Sequence, residues 1–169
     1  MLYNFNFLLS SKKMKHITSY RHMGIVVKDM EIAMKFYCDL LEHEIIVDFT
    51  EEGAYFNNLI GLENASARVV KANSPDGTYV ELIEFKNIKP IHRQEERRYD
   101  FYGLNHICFK VEKIHDLYEK LVSAGIEFIS EPLKSDFDPV YTCFCYDYEG
   151  NLVQFVEIFD YDSINEGLR

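Results

Sequence analysis

Apolar and polar residues alternate along the first half of the chain in a way that predicts one clear helix among several strands. Residues 30–41 carry apolar side chains at intervals of three and four, which is the period of an amphipathic helix. Asp29 stands directly before this helix, at the position of an N-cap. Residues 54–62 are compatible with either a short helix or a strand. The remaining apolar runs predict strands over residues 22–27, 44–49, 67–72 and 78–85.

The second half of the chain repeats this order of elements. Residues 114–124 predict a second amphipathic helix, which Gly125 ends as a C-terminal cap. Residues 131–139 include two prolines and predict a loop. The apolar runs of this half predict strands over residues 104–111, 126–130, 140–146 and 151–159. An internal repeat of this kind predicts two copies of one module.

Each copy carries a residue able to bind a metal on its first strand and another on its last. His22 and His106 each open a first strand, whereas Glu81 and Gln154 each stand four residues after a turn glycine. Four such residues at matched positions of a repeat point to a shared site more strongly than any one of them alone. We therefore expect His22, Glu81, His106 and Gln154 to bind a divalent metal ion.

Strand alternation tests this set, because successive side chains of a strand point to opposite faces of its sheet. The face opposite each histidine carries the β-branched and aromatic majority that would pack on the helices, so the histidine face would line the concave side. Glu84 and Glu157 lie three positions beyond Glu81 and Gln154, so they should point to the opposite, outer face. Despite their carboxylates, these two residues are not expected to be ligands.

The pattern divides the chain into two modules with polar segments around them. We expect each module to have the order β-α-β-β-β, with a linker rich in charged residues between the two. The predicted boundaries are an N-terminal extension over residues 1–19, modules over residues 20–86 and 103–160, a linker over residues 87–102, and a tail over residues 161–169.

Composition excludes some classes of function. The net charge of −10 argues against general nucleic-acid binding, which needs a basic surface, but is compatible with cationic ligands. No run of about 18 apolar residues predicts a membrane span. The four cysteines lack the spacing of a zinc motif and are too few for a disulfide framework. We interpret them as reduced thiols of a cytoplasmic protein, with Cys108 a buried, inert thiol that shares the strand face of His106.

The paired modules resemble the vicinal oxygen chelate superfamily, which includes glyoxalase I, methylmalonyl-CoA epimerase, extradiol dioxygenases and bleomycin resistance proteins. The resemblance covers residues 20–159. It is carried by Phe36-Tyr37-Cys38-Asp39-Leu40-Leu41, by Asn105-His106-Ile107-Cys108-Phe109 and by Gly150-Asn151-Leu152. It implies an α+β fold in which two βαβββ modules form an open, eight-stranded, barrel-like sheet around a cleft. It also implies a homodimer, and we expect each chain to complete its own cleft, although exchange of modules between chains stays open.

By the same resemblance, His22, Glu81, His106 and Gln154 occupy the superfamily's four ligand positions. Such a mixed nitrogen and oxygen set suits Zn, Ni, Co, Fe or Mn. Many relatives carry Glu where this chain has Gln154, so Glu81 is the expected catalytic base. The leading hypothesis is a glyoxalase I or epimerase type of enzyme, a lyase or isomerase that stabilises an enediolate or enolate of a small-molecule substrate.

Two other functions remain open. An Fe(II) extradiol-type dioxygenase would use His22, His106 and Glu81 as two histidines and one carboxylate. A metal-free binding protein of the bleomycin-resistance type would use its acidic cleft to sequester a cationic compound. A fosfomycin-type transferase is disfavoured because it would need a carboxylate in place of Gln154. The other histidines, His43 and His115 among them, have no matched partner in the repeat and are expected at the surface.

Overall fold

Two four-stranded sheets, one from each half of the chain, form the described part of the molecule. The computed structural model describes residues 19–91, 99–100 and 103–160. The predicted extension up to residue 18, much of the predicted linker and the predicted tail lie outside the described residues. No helix among the described residues is long and apolar enough to cross a membrane.

The first module follows the predicted order, with one added helix. Its elements are β1 (His22–Val26), α1 (Met30–Met34, continued by a π-helical segment over Lys35–Leu40), β2 (Glu44–Glu52), α2 (Ala54–Ile60), β3 (Ser66–Asn73) and β4 (Tyr79–Phe85). Strand β1 pairs in parallel with β4, and the remaining neighbours are antiparallel, giving the order β1-β4-β3-β2. The segment that was compatible with a helix or a strand forms α2, whose Phe56 packs on Ala67.

The second module has the corresponding order β5-β8-β7-β6. Its elements are β5 (His106–Lys110), α3 (Ile114–Ser123), β6 (Leu133–Lys134), β7 (Val140–Tyr146) and β8 (Leu152–Ile158). The strand predicted over residues 126–130 is wrong: this segment makes only an isolated bridge, between Phe128 and Cys145. The fourth strand instead forms inside the predicted loop, where Leu133 and Lys134 pair with β7.

Matching turns precede the last strand of each module. The N–H of Gly77 donates to the carbonyl of Ser74 at 3.0 Å, and that of Gly150 donates to the carbonyl of Asp147 at 3.0 Å. Both glycines have positive φ, 84° and 86°, a conformation that disfavours residues with a Cβ. The repeat found in the sequence is therefore also a repeat in backbone geometry.

One hydrophobic core joins the two modules. It combines the buried faces of α1 and α3 with one face of each sheet. Its largest fully buried side chains include Tyr37 and Phe36 from the helical region and Phe155 from β8. This arrangement confirms the predicted α+β class with paired modules, and the two sheets are not closed into a barrel.

The final turn of the second module is bound to the first module by directed hydrogen bonds. The hydroxyl of Tyr37 donates to Asp147 Oδ2 at 2.8 Å, and both residues are buried. Glu149 Oε1 accepts the backbone N–H groups of Lys28 and Asp29 at 2.9 and 3.0 Å, just before α1 begins. Burial and the neighbouring Asp147 carboxylate raise the pKa of Tyr37 well above its usual value. The phenol therefore remains a donor to Asp147 at neutral pH.

Candidate functional site

His22 and Glu81 meet on the face of the first sheet that is turned away from the shared core. Strand β1 places Gly24 beside Glu81, so His22 lies one alternation along the same face. The distance from His22 Nε2 to Glu81 Oε2 is 3.5 Å. Two of the four predicted ligands are therefore adjacent, as the parity of their strands predicts.

The second nitrogen of the His22 ring lies in an unusual position. His22 Nδ1 is buried and has no hydrogen-bond partner among the described residues. The ring stacks on Tyr79 with 4.9 Å between centroids, and Arg21 Nε donates to the Tyr79 hydroxyl at 2.9 Å. Buried polar nitrogens are nearly always paired, so His22 Nδ1 is an exception among the described residues, whereas the nitrogen that faces Glu81 is Nε2.

Lys71 also contacts Glu81, although nothing in the repeat singles it out. It lies directly opposite Glu81 in the pairing of β3 with β4, and its Nζ is 3.2 Å from Glu81 Oε1. The same ammonium lies 5.7 Å from the ring centroid of Tyr79 and 6.0 Å from that of Phe49. These distances suit cation–π attraction, so Lys71 is held by a carboxylate and two rings.

The corresponding face of the second sheet has neutral and aromatic neighbours. His106 Nδ1 is 3.0 Å from Asn105 Oδ1, and its ring lies 5.3 Å from Phe144, edge to face, and 6.1 Å from Tyr99, stacked. Gln154 Nε2 donates to Thr142 Oγ1 at 3.0 Å. That bond occupies the amide nitrogen, so the amide oxygen is the atom with which Gln154 could bind a metal.

A single chain does not bring the predicted ligands into one cluster. Among the described residues, no group of three or more His, Cys, Asp or Glu side chains is placed to hold a metal ion. The physical reason is the shared core: each sheet turns its helix-covered face toward it, so the faces bearing His22 and His106 are both turned away. Strands β1 and β5 are edge strands of separate sheets. Within one chain the two modules line a shared cleft, but of the four predicted ligands only His106 lies in its lining.

Glu84 and Glu157 lie on the helix-covered faces, opposite Glu81 and Gln154, as strand parity predicts. Glu157 accepts the N–H groups of Lys113 and Ile114 at 2.9 and 3.0 Å, at the start of α3. Glu84 accepts from the N–H of Met30 at 3.4 Å, at the start of α1. Carboxylates are stabilising at helix N-termini, where backbone N–H groups lack partners. These two residues are helix caps in corresponding positions of the repeat.

Comparison with known proteins identifies the family. The profile of the Glyoxalase/Bleomycin resistance protein/Dioxygenase superfamily matches residues 15–155. The chain belongs to this superfamily. No curated protein is similar enough to count as a relative.

Solved structures share the superfamily fold at low sequence identity. A glyoxalase family protein from Bacillus cereus is 22% identical, with a TM-score of 0.77 over 86% of this chain and 98% of that one. A glyoxalase/dioxygenase from Nostoc punctiforme is 18% identical, with a TM-score of 0.64 over 88% and 96%. The fosfomycin resistance protein FosX from Listeria monocytogenes, solved with Mn(II) and sulfate, is 17% identical, with a TM-score of 0.55 over 90% and 99%.

A cleft lies between strand β5 and the start of β4. Its volume is about 260 Å³, and its lining includes Tyr79, which stacks on His22, together with His106 and Cys108. Desolvation raises the pKa of the Cys108 thiol, which keeps it protonated and weakly nucleophilic at neutral pH. The raised pKa agrees with an inert thiol, but the expected burial is wrong, because Cys108 is exposed.

The surface position expected for His43 is wrong. Its exposed fraction is only 8%, its ring contacts Phe109 edge to face at 5.2 Å, and its Nε2 is 2.9 Å from Ser74 Oγ. Burial lowers the pKa of His43. His43 lies where the first module contacts β5, and no repeat position could reveal this contact, since the second module has no corresponding histidine.

Proposed function

We propose that the protein is a metal-dependent small-molecule enzyme of the glyoxalase I or epimerase type, acting as a lyase or isomerase. The observation that carries this proposal is the adjacency of His22 and Glu81 on the open sheet face, where His22 Nε2 lies 3.5 Å from Glu81 Oε2. One imidazole and one carboxylate fit a divalent ion of the Zn, Ni, Co, Fe or Mn group. In this proposal His106 and the amide oxygen of Gln154 complete the set.

Each residue of the proposed site has its own chemical role. A divalent cation held by these four side chains would supply Lewis-acid stabilisation for negative charge on two neighbouring substrate oxygens as a proton leaves carbon. Glu81 accepts and returns that proton, because it is the one carboxylate of the set. The Tyr79 ring fixes the plane of His22, and the rings around His106 exclude water from that side of the cleft.

A second copy of the chain would complete the site. The two histidine-bearing strands, β1 and β5, are both edge strands, and an unpaired edge favours pairing with another strand. Pairing β1 of one protomer with β5 of its partner would place His22 and Glu81 beside the partner's His106 and the partner's Gln154. We therefore propose a homodimer in which each site is built from two chains, in place of the intrachain cleft expected from the sequence.

Two measurements on wild-type protein test the proposed chemistry. Elemental analysis of protein purified without added metal should give about one divalent ion per chain. The protein is then incubated in D₂O with hydroxycarbonyl compounds and with acyl thioesters. It should catalyse exchange of the hydrogen on the carbon next to the carbonyl, which proton NMR detects as loss of that signal. Iron as the bound metal, with ring cleavage of catechols and no exchange, would instead favour the extradiol dioxygenase.

Mixing two inactive variants tests the shared site. His22→Ala and His106→Ala homodimers should each be inactive, whereas subunit exchange between them should restore roughly a quarter of wild-type activity. The reason is that half of the dimers become mixed, and each mixed dimer has one intact site of two. Light scattering should give the mass of a dimer throughout. A mixture that exchanges subunits yet stays inactive would contradict the site built from two chains.

A metal-free binding protein is the second candidate, and one observation favours it. Lys71 lies 3.2 Å from Glu81 and already neutralises the carboxylate without a metal. Such a protein would bind its small molecule with equal affinity before and after treatment with a chelator. For either function we place the protein in the cytoplasm, because all four cysteines are free thiols.

A further inference from the structure

The Glu81 carboxylate has two nitrogen-bearing neighbours, the His22 imidazole and the Lys71 ammonium, which approach different oxygens. His22 Nε2 faces Oε2 at 3.5 Å, whereas Lys71 Nζ faces Oε1 at 3.2 Å. The exposed fractions of the Lys71 and Glu81 side chains are 24% and 18%, so this ion pair is only partly screened by solvent. A divalent ion bound by Glu81 would therefore meet the Lys71 ammonium at close range.

A divalent ion and the Lys71 ammonium repel each other, so binding both to the Glu81 carboxylate costs free energy. Lys71, however, has a second favourable contact. Its ammonium is attracted by the rings of Tyr79 and Phe49, which lie on the same sheet face as Glu81. An ammonium has three N–H donors, and rings satisfy its charge without using those donors fully. Once separated from Glu81, Lys71 would remain in the site with donors available.

From this geometry we propose that Lys71 is a movable counter-ion of Glu81, which gives up the carboxylate when a divalent metal binds and then binds an anionic oxygen of the substrate. This inference rests on the proposed metal-dependent function and adds a property of the substrate: it carries a carboxylate or phosphate group near the reacting carbon. Metal and anionic substrate would then strengthen each other's binding, because each favours the separated state of the ion pair.

Affinity for Mn²⁺ tests the first half of the inference. Lys71→Met removes the competing charge and should tighten Mn²⁺ binding about five- to tenfold, measured on the full chain by the electron paramagnetic resonance signal of free Mn²⁺. Lys71→Arg keeps the charge and should stay close to wild type. Lys86→Met is the matched control, because Lys86 pairs with Glu84 on the opposite face and its loss should change nothing.

Inorganic phosphate tests the second half. Calorimetric titration into protein saturated with Mn²⁺ should show binding that Lys71→Met weakens about tenfold and Lys86→Met leaves unchanged. Unaltered phosphate affinity in Lys71→Met would overturn the anion-binding role.

The remaining outcomes separate this inference from the proposed function. Equal or weaker Mn²⁺ affinity in Lys71→Met, with wild type binding Mn²⁺ normally, would overturn the counter-ion role and leave the metal site standing. If wild type and every variant bind no more Mn²⁺ than His22→Ala, the proposed metal-dependent function fails, and the inference fails with it.

Discussion

The two sheets carry their predicted ligands at matching positions but surround them with opposite kinds of neighbour. In the first sheet, Glu81 lies between His22 and Lys71, so the face is ionic. In the second sheet, Gln154 is bonded to the Thr142 hydroxyl, and the rings of Phe144 and Tyr99 contact His106, so the face is neutral and aromatic. The predicted ligands thus have charged neighbours in one copy of the repeat and neutral neighbours in the other.

This difference indicates a division of labour between the copies. An ionic face can move a proton and hold a cation, whereas an aromatic face excludes water and orients a bound molecule. If that division is correct, matched substitutions in the two faces should have unequal effects. The following predictions run from the largest expected effect to the smallest.

The greatest loss should come from Glu81→Gln, because an amide cannot accept the substrate proton. We expect the rate of deuterium exchange to fall at least about 100-fold, with circular dichroism and dimer mass unchanged. Gln154→Ala is the matched change in the second face and should lower the rate less than about tenfold, since it removes a neutral ligand. Equal losses in the two variants would end the distinction between the faces.

The second largest effect should come from breaking the contact between the modules at Tyr37. Tyr37→Phe removes the donor to the buried Asp147 carboxylate and should lower the free energy of unfolding by about 2 kcal/mol. Urea denaturation followed by fluorescence and by circular dichroism measures this, and both signals should still change together. Tyr118→Phe, at a half-buried position of α3 where the ring contacts Phe128, provides a control for loss of a hydroxyl. Separate transitions in wild-type protein would mean that the modules unfold independently.

A smaller change should follow from making the two faces alike. Gln154→Glu adds a carboxylate to the second face and should raise Mn²⁺ affinity about tenfold, because each added charge strengthens binding of a divalent ion. Gln154→Met, similar in volume but a poor ligand, should weaken it. Identical Mn²⁺ dissociation constants for wild type and both variants would remove Gln154 from the ligand set.

The smallest effect concerns pH and His43. Burial lowers the pKa of His43 below its usual 6.5, so the unfolded chain takes up the proton before the folded one does. The stability contributed by neutral His43 is complete above pH 6.5 and declines as pH falls below that value, by at most about 1 kcal/mol. His43→Gln should flatten this decline in urea denaturation between pH 7 and pH 5.5. A decline of the same size in the variant would assign it to another group.

Strand parity explains how much of the site the sequence could predict. It placed Glu81 on the face of His22 and Glu84 on the other, because alternation along a strand depends only on the strand being regular. Lys71 could not be found in this way. Its position beside Glu81 depends on the register between β3 and β4, which the Ser74–Gly77 turn sets.

The fold shows the same limit. The paired modules can be predicted from the repeat, because each half of the sequence shows the same local pattern of elements. The joining of both helical faces into one core, and the resulting separation of His22 from His106, depends on contacts such as Tyr37 with Asp147, which are far apart in sequence. The misplaced strand at residues 126–130 shows the same limit, because that segment and β6 both bond to β7 and the apolar pattern alone cannot tell which of them forms the regular ladder.

The hydrogen bonds that Glu149 accepts from the backbone just before α1 have a consequence for synthesis of the chain. A ribosome makes Lys28 and Asp29 about 120 residues before their acceptor exists. During that interval the first module lacks both this acceptor and the carboxylate partner of Tyr37. Nascent chains released before Asp147 should therefore be easily digested by proteases, and resistance should appear abruptly once the final turn has left the exit tunnel. The final turn of the second module thus supplies the hydrogen-bond acceptor just before α1.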